Sequence, residues 1–475
     1  MLTGQNGAAD RPEPELFGHP RGLTFLFTTE MWERFSYYGM RAILIYYLVN
    51  YLLHPDVFNG VIGHGMLRGV VEFIFNGGQH MDTQPFSSGI YGLYTALVYL
   101  TPLIGGLIAD RWLGQRFTVI IGGVIMAIAQ FVLFVPSLFV IGLLLLIIGN
   151  GFFKPNISTQ VGNLYKPGDS RIDRAFSIFY VGINVGAFFS PFVSGGLGDY
   201  AGYQWGFFAA GVGMTIGLIT YLFALRTLPD DRVTRVKKHD QAASKPMTSQ
   251  DWKAVVALIL LCIPTTFFWA TYEQQGNTIS LWAQNFTNRS LIPGIFDWQI
   301  PAAWFQSFNP AMIALFTPLV VSLWSWQSKR GKEPSTITKM ALGLFMLAAS
   351  YVIMAGAAYI SPQGGASWLW LLAFFAVITM GELYLSPIGL ALVARVAPVQ
   401  ILSLMMGLWF ITSFTGNLIQ GYIGTYFSVM SKANFFLLCA GIGAAAGVVI
   451  WLFNFPLKPI LEAKPSSALA PEPAE

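Results

Sequence analysis

The chain predicts an all-α membrane protein of twelve transmembrane helices in two six-helix bundles. Three observations carry that reading. Of 475 residues, 54% are hydrophobic and 11% charged, well away from an average soluble protein. The apolar residues gather into repeated segments of about 20 or more, long enough as helices to cross a bilayer. The third observation is charge asymmetry. With the N-terminus inside, 21 of the 27 lysines and arginines fall in cytoplasmic segments, three (Arg68, Arg289, Lys432) in external ones and three within helices. An odd number of spans would place several basic loops outside, so twelve is favoured, with both termini cytoplasmic. The short alternating segments of a membrane β-barrel are absent.

Taken in order, residues 1–21 form a polar cytoplasmic segment without a short apolar core and cleavage site, so the first helix is expected to be retained. Helix 1 is expected at about 22–52, and a polar-to-mixed external loop at about 54–84. Helices 2 to 6 follow at about 86–109, 116–135, 138–165, 173–198 and 204–226. The stretch Arg226 to Lys253 holds seven basic residues and no apolar run. Helices 7 to 12 are expected at about 252–286, 304–327, 336–359, 367–396, 399–430 and 433–456. The expected units are therefore an N-terminal bundle 22–226, a cytoplasmic linker 227–250, a C-terminal bundle 251–457 and a tail 458–475. Thr101-Pro102-Leu103 in helix 2 recurs as Thr317-Pro318-Leu319 in helix 8. Gly151-Phe-Phe-Lys154-Pro155 in helix 4 is matched by Gly381-Glu382 and Ser386-Pro387 in helix 10. Proline-interrupted helices at matching places in two halves point to a binding site near the bilayer midplane.

Helix 1 departs most from an ordinary span. Glu30, Glu33, Arg34, Tyr37, Tyr38 and Arg41 fall within a stripe roughly 140° wide at helical periodicity. Each charge at mid-bilayer costs about 2.5–3.5 kcal/mol on insertion scales, so such residues face a partner or a water-filled cavity. Lys154, Glu273 and Glu382 add a charge each to helices 4, 7 and 10. Those helices begin each three-helix unit and are expected to line one central cavity. Four acids face three bases, so one acid lacks a basic partner and is a natural proton site. His19, His54, His64, His80 and His239 are expected in loops or the N-terminal segment, which leaves proton chemistry to carboxylates. Arg34 and Lys154 suit a substrate carboxylate and Glu382 an ammonium, a mould for a zwitterion. Asn184 and Asn309 suit amide groups or, equally, helix–helix hydrogen bonds. Tyr37, Tyr38, Tyr99 and Trp409 suit side-chain pockets or plain packing. Cys262 and Cys439 lie in apolar spans and imply no disulfide framework. No metal-ligand cluster or catalytic constellation appears in the helices, and no enzyme is expected. Nothing points to nucleic acid.

The Asp110-Arg111 segment between helices 2 and 3 is similar to the short loop motif of the major facilitator superfamily, where it acts as a charge latch. Glu30-x-x-Glu33-Arg34-Phe-x-Tyr37-Tyr38-Gly39 resembles the helix 1 signature of the proton-coupled oligopeptide transporters, a branch of that superfamily. Gly151-Phe-Phe-Lys154-Pro155-Asn156, Phe179-Tyr180-x-x-Ile183-Asn184-x-Gly186, Phe268-Trp269-x-x-Tyr-Glu273-Gln274 and Gly381-Glu382-x-x-x-Ser386-Pro387 resemble its helix 4, 5, 7 and 10 patterns. The resemblance implies a bacterial-type symporter of di- and tripeptides with protons in the cytoplasmic membrane, working as a monomer without a cofactor. It implies that Arg34 and Lys154 meet the peptide carboxylate and Glu382 its amino terminus. Asn184 and Asn309 would contact peptide ends or backbone, and Tyr37, Tyr38, Tyr99, Ser386 and Trp409 would shape the pocket. Glu30, Glu33, Arg34 and Lys154 would couple to protons, and Arg41 with Glu273 would form a salt bridge between halves. Animal members carry a helix 2 histidine where Gly92 stands here. The linker is too short and polar for the two extra helices of many bacterial members. A related drug or anion transporter, and a non-transporting peptide sensor, are the alternative readings.

Overall fold

A computed structural model describes residues 15–166, 169–229, 247–292 and 294–461. Most of the expected linker and the ends of both tails lie outside the described residues. Among the described residues, ten helices are long and apolar enough to cross a membrane: Thr83–Leu113, Gln115–Val132, Pro136–Asn163, Ile172–Tyr200, Tyr203–Ala224, Ser249–Asn285, Ala302–Lys329, Thr336–Ile360, Leu369–Val396 and Lys432–Leu452. These are helices 2–10 and 12. Two more long helices pack among them, helix 1 (Arg21–Tyr47, continued by a wider turn at Leu48–Leu52) and helix 11 (Leu402–Thr425). Helix 1 packs on helices 5 and 6, and helix 2 on helix 4, in one six-helix bundle; helix 9 packs on helices 10 and 12, and helix 7 on helix 11, in the other. Three two-stranded pairings sit outside the helices, including Glu15–Leu16 with His19–Pro20 ahead of helix 1.

Helix starts follow local chemistry. Thr248 and Asp251 form a reciprocal capping box at helix 7, satisfying two otherwise orphaned backbone donors. The matched prolines lie inside their helices: Pro102, Pro155, Pro318 and Pro387. Pro102 has no N–H to offer the carbonyl of Val98, and Asn150 of helix 4 donates to that carbonyl instead at 3.0 Å. Such replacement is what makes a proline tolerable in a membrane helix.

Two expectations need correction. The segment 54–84 is not a loop throughout: it holds a short helical turn, Pro55–Phe58, and a 13-residue helix, His64–Asn76, so His64 heads a helix. A periodic apolar pattern was present there, but Gly65 and Gly69 dilute it. Helices 11 and 12 also end earlier than expected, at Thr425 and Leu452.

The two bundles are tied at one end. That end lies opposite the termini and the basic loops. There Tyr46 donates to the Ser280 carbonyl at 3.1 Å, Asn50 to Gln284 at 3.0 Å and Ser88 to Asn277 at 3.0 Å. Gln306 donates to the Ala42 carbonyl at 3.1 Å and Ser307 to the Phe188 carbonyl at 2.8 Å. Helices 2 and 11 approach so closely there that a Cβ on Gly92 would stand 2.5 Å from the Gly421 Cα.

Candidate functional site

Helix 1 carries its charges on a buried face, and the structure gives each an environment. Arg34 bonds to Glu33 and reaches Glu30 at 3.1 Å, with all three side chains buried. Two acids thus share one guanidinium. Glu30 Oε2, Glu33 Oε1 and Arg34 Nη2 have no hydrogen-bond partner among the described residues. The Arg34 guanidinium also lies 5.2 Å over the Tyr37 ring. Two turns further on, Arg41 pairs with Glu273 of helix 7 and donates to the Tyr91 hydroxyl at 2.7 Å. That pair joins the two bundles.

Glu273 is positioned by a break. Helix 7 tightens into a 3₁₀ turn at Glu273–Gly276 before resuming at Thr278. Gly276 is required there, because a Cβ would meet the Tyr91 hydroxyl at 1.9 Å. The same hydroxyl takes the bond from Arg41, so the absence of a side chain at Gly276 makes room for the bridge.

Lys154 is placed by the crossing of helices 2 and 4. A Cβ on Gly105 would stand 1.9 Å from the Gly151 carbonyl oxygen, and Thr101 donates to the Ile147 carbonyl at 2.9 Å. Only small residues permit so close a crossing. Three residues beyond Gly151, the Lys154 ammonium sits 4.8 Å over the Tyr99 ring. Lys154 makes no ion pair among the described residues, although Glu30, Glu33 and Glu273 act on it electrostatically. The half-buried side chain is thus held by an aromatic face rather than by an acid.

In the C-terminal bundle, Glu382 is the mid-span acid without a basic partner among the described residues. Its Oε2 accepts hydrogen bonds from Tyr272 at 2.5 Å and from Asn309 at 2.9 Å. Asn309 also donates to Thr379 at 3.0 Å. Tyr38 is within electrostatic reach of Arg34, Arg41, Glu273 and Glu382. Tyr180 of helix 5 is likewise within electrostatic reach of Glu382 and Tyr38.

Other expected site residues stand less openly. Asn184 is half-buried and donates to the Tyr180 carbonyl of its own helix at 2.9 Å. Ser386 is half-buried, one turn beyond Glu382. Trp409 is buried against helix 10, where a Cβ on Gly389 would collide with its ring. Tyr37 is buried with its hydroxyl unpartnered, edge-on to Tyr38. Trp409 and Tyr37 are therefore packing residues in this arrangement. Sequence reasoning gave no site role to Tyr272, Thr379 and Tyr180, although the two tyrosines stand inside the helix 7 and helix 5 motifs. Tyr272 was legible as the residue beside Glu273, and Thr379 as one turn before Glu382. Asp110 and Arg111 make no ion pair among the described residues, while Arg116 donates to the Leu228 carbonyl after helix 6.

Comparison with known proteins places the chain among transporters. A family profile described as the POT family matches residues 116–233 and 225–438. The chain is 34% identical to the di-/tripeptide transporter of Lactococcus lactis subsp. cremoris, covering 94% of this chain and 98% of that one. It is 33% identical to a peptide transporter of Yersinia enterocolitica, over 89% of this chain and 90% of the other. Among solved structures it resembles a peptide transporter POT bound to alafosfalin, with TM-score 0.81 and 29% identity over 94% and 97% of the chains. A POT family transporter bound to 5-aminolevulinic acid superposes equally well, with TM-score 0.81 and 27% identity over 94% and 98%. The protein is thus a multi-pass membrane transporter, not an enzyme, and belongs to the POT family of peptide transporters in the major facilitator superfamily.

Proposed function

We propose that this chain imports di- and tripeptides together with protons by alternating access between the bundles 22–226 and 251–457. One observation carries the reading: Lys154 from one bundle and Glu382 from the other are the mid-span charges left without an ionic partner among the described residues. A free peptide supplies a carboxylate for the first and an ammonium for the second. Charge-assisted hydrogen bonds of this kind contribute about 1.5–3 kcal/mol each. Arg34 can join Lys154 at the carboxylate when a proton on Glu33 or Glu30 frees it from sharing. Asn309 orders Glu382, and Asn184, Tyr38, Tyr99, Ser386 and Trp409 border the peptide. The Arg41–Glu273 pair closes one end and opens when the bundles part there.

The basic end is the cytoplasmic one, by the lysine and arginine asymmetry. The described arrangement is then closed toward the outside of a bacterial cytoplasmic membrane. The working unit is a single chain. A membrane potential contributes about 2.3 kcal/mol per charge per 100 mV, enough at about 100 mV for about 50-fold accumulation per fully coupled proton.

The test is uptake of labelled dialanine into proteoliposomes under an inward proton gradient and negative-inside potential. Glu33→Gln is run beside the wild type and also assayed for exchange without a gradient. Accumulation by wild type, with the variant reduced to exchange, supports coupled import through helix 1. Uptake indifferent to the proton gradient would overturn coupling, and binding without flux would favour a sensor.

A further inference from the structure

The segment between helices 1 and 2 takes no part in the site, yet its helix His64–Asn76 is built with care. It begins after Gly63 and stops at Gly77, both with positive φ, and Gly78 returns a hydrogen bond to the Glu72 carbonyl at 2.9 Å. Its residues divide into three arcs. One is buried: Val71 and Phe75 pack on Gly89 of helix 2, and Phe75 also packs on Gly421 of helix 11. Phe75 thus touches both bundles where they meet. A second arc is polar or small, with Gly65, Arg68, Gly69, Glu72 and Asn76. Arg68 donates to Glu72 at 3.0 Å, Glu72 accepts from the Met81 amide at 3.1 Å, and Asn76 donates to the Gln79 and His80 carbonyls at 3.1 Å each.

The third arc is apolar and uncovered. Met66 is 61% exposed, Val70 43%, Phe73 75% and Ile74 46%. These four recur at i, i+4, i+7 and i+8, the spacing of one helix face. Together the buried and uncovered apolar arcs span about 200° of the helix. A helix that met only protein and water would not need so wide an apolar arc with its most exposed member a phenylalanine. Gly421, beneath Phe75, is followed by Tyr422 in helix 11 and Tyr426 just past its end, 48% and 37% exposed, of the residue type enriched at the membrane–water boundary.

We propose that His64–Asn76 is an interfacial helix whose Met66, Val70, Phe73 and Ile74 face enters the headgroup–acyl boundary of the bilayer. Lipid then holds one side of the helix while Phe75 grips the seam between helices 2 and 11 on the other. An amphipathic helix of this make-up lies in the interface plane with its apolar face about 5–10 Å into the boundary. The lipid contact would brace the end at which the bundles are tied.

The experiment uses the full chain in phosphatidylcholine proteoliposomes, with single cysteines at Phe73→Cys and Gly69→Cys carrying an environment-sensitive fluorophore. Gly69 faces the polar arc, and a side chain there meets nothing within 4 Å. Cys262 and Cys439 are buried, so wild type carried through the same labelling supplies the blank. Lipid brominated near the headgroup end of its chains should quench the Phe73 label severalfold more than the Gly69 label. Aqueous iodide should show the reverse order. Equal quenching at the two positions by either agent would overturn the proposal. So would a Phe73 label shielded from both agents, the result expected if a second copy of the chain covered this face.

Discussion

Two ion clusters sit on helix 1 about 10 Å apart along its axis, and they differ in what they join. Glu30, Glu33 and Arg34 all belong to one helix, so their pairing survives any rigid movement of the bundles. Arg41 and Glu273 belong to opposite bundles, so their pair must break whenever the bundles part at that end. The first cluster has two acids for one base and, in the mechanism proposed above, responds to a proton. The second has one of each and responds to geometry. On that proposal a single helix carries a charge-counting device and a position-sensing device, separated by the aromatic pair Tyr37 and Tyr38.

The sharpest way to break this comparison is Arg34→Ala. Two buried carboxylates would lose their shared cation, and breaking a buried ion pair costs about 3–5 kcal/mol. We expect a large drop in thermal stability and loss of uptake, with Glu33→Gln in the same chain restoring part of the stability. If Arg34→Ala is no less stable than wild type, the shared-cation account is wrong. Glu382→Gln comes next. It keeps the shape but loses the charge, and should weaken binding by about 1.5–3 kcal/mol, or roughly 10- to 150-fold. That loss should appear for dipeptides with a free amine and vanish for their N-acetylated forms, read by competition for labelled dialanine.

A smaller effect should distinguish the cross-bundle pair. Arg41→Ala and Glu273→Gln, alone and together, form a double-mutant cycle with an expected coupling of about 0.5–3 kcal/mol. Cysteine accessibility at Ser88 and Asn277, which share a hydrogen bond across the same seam, should rise in each single variant. The same cycle between Glu30 and Arg34 should leave that accessibility unchanged. The smallest effect concerns the turn between helices 4 and 5. Hydrogen bonds from Arg171 hold the Asp169 carboxyl down to about 2 from its ordinary 3.8. A carboxyl depressed on folding contributes stability above its unfolded value and loses it as pH falls through about 2. The melting-temperature difference between wild type and Asp169→Asn should therefore stay flat from about pH 5 to 8 and shrink only in strong acid. A change across the neutral range would mean that another group titrates there.

The residues on the page explain what was legible early. Helix positions followed from hydropathy because each apolar span is a local property of about 20 consecutive residues. The mid-span charges stood out for the same reason: any charge in such a window is costly enough to demand a use. The prolines in helices 2, 4, 8 and 10 were equally plain. The helix His64–Asn76 was missed because it is too short to span a bilayer and its glycines mask an apolar periodicity that only packing against Gly89 and Gly421 makes meaningful.

By itself, then, the sequence determined that this chain enters a membrane many times and that helices 1, 4, 7 and 10 carry charge into it. It also determined the i, i+4 relation that lets Glu30 meet Arg34. Tertiary structure alone decided that Lys154 rests on Tyr99 rather than on an acid, and that Tyr272 and Asn309 hold Glu382. It likewise decided that Phe75 reaches from one bundle to the other. The physical reason is range. Burial energy and helical period act over a few turns of one chain segment, whereas an ion pair or hydrogen bond forms only within about 4 Å. Which groups come that close is set by where Gly105, Gly151, Gly276 and their like allow distant helices to touch.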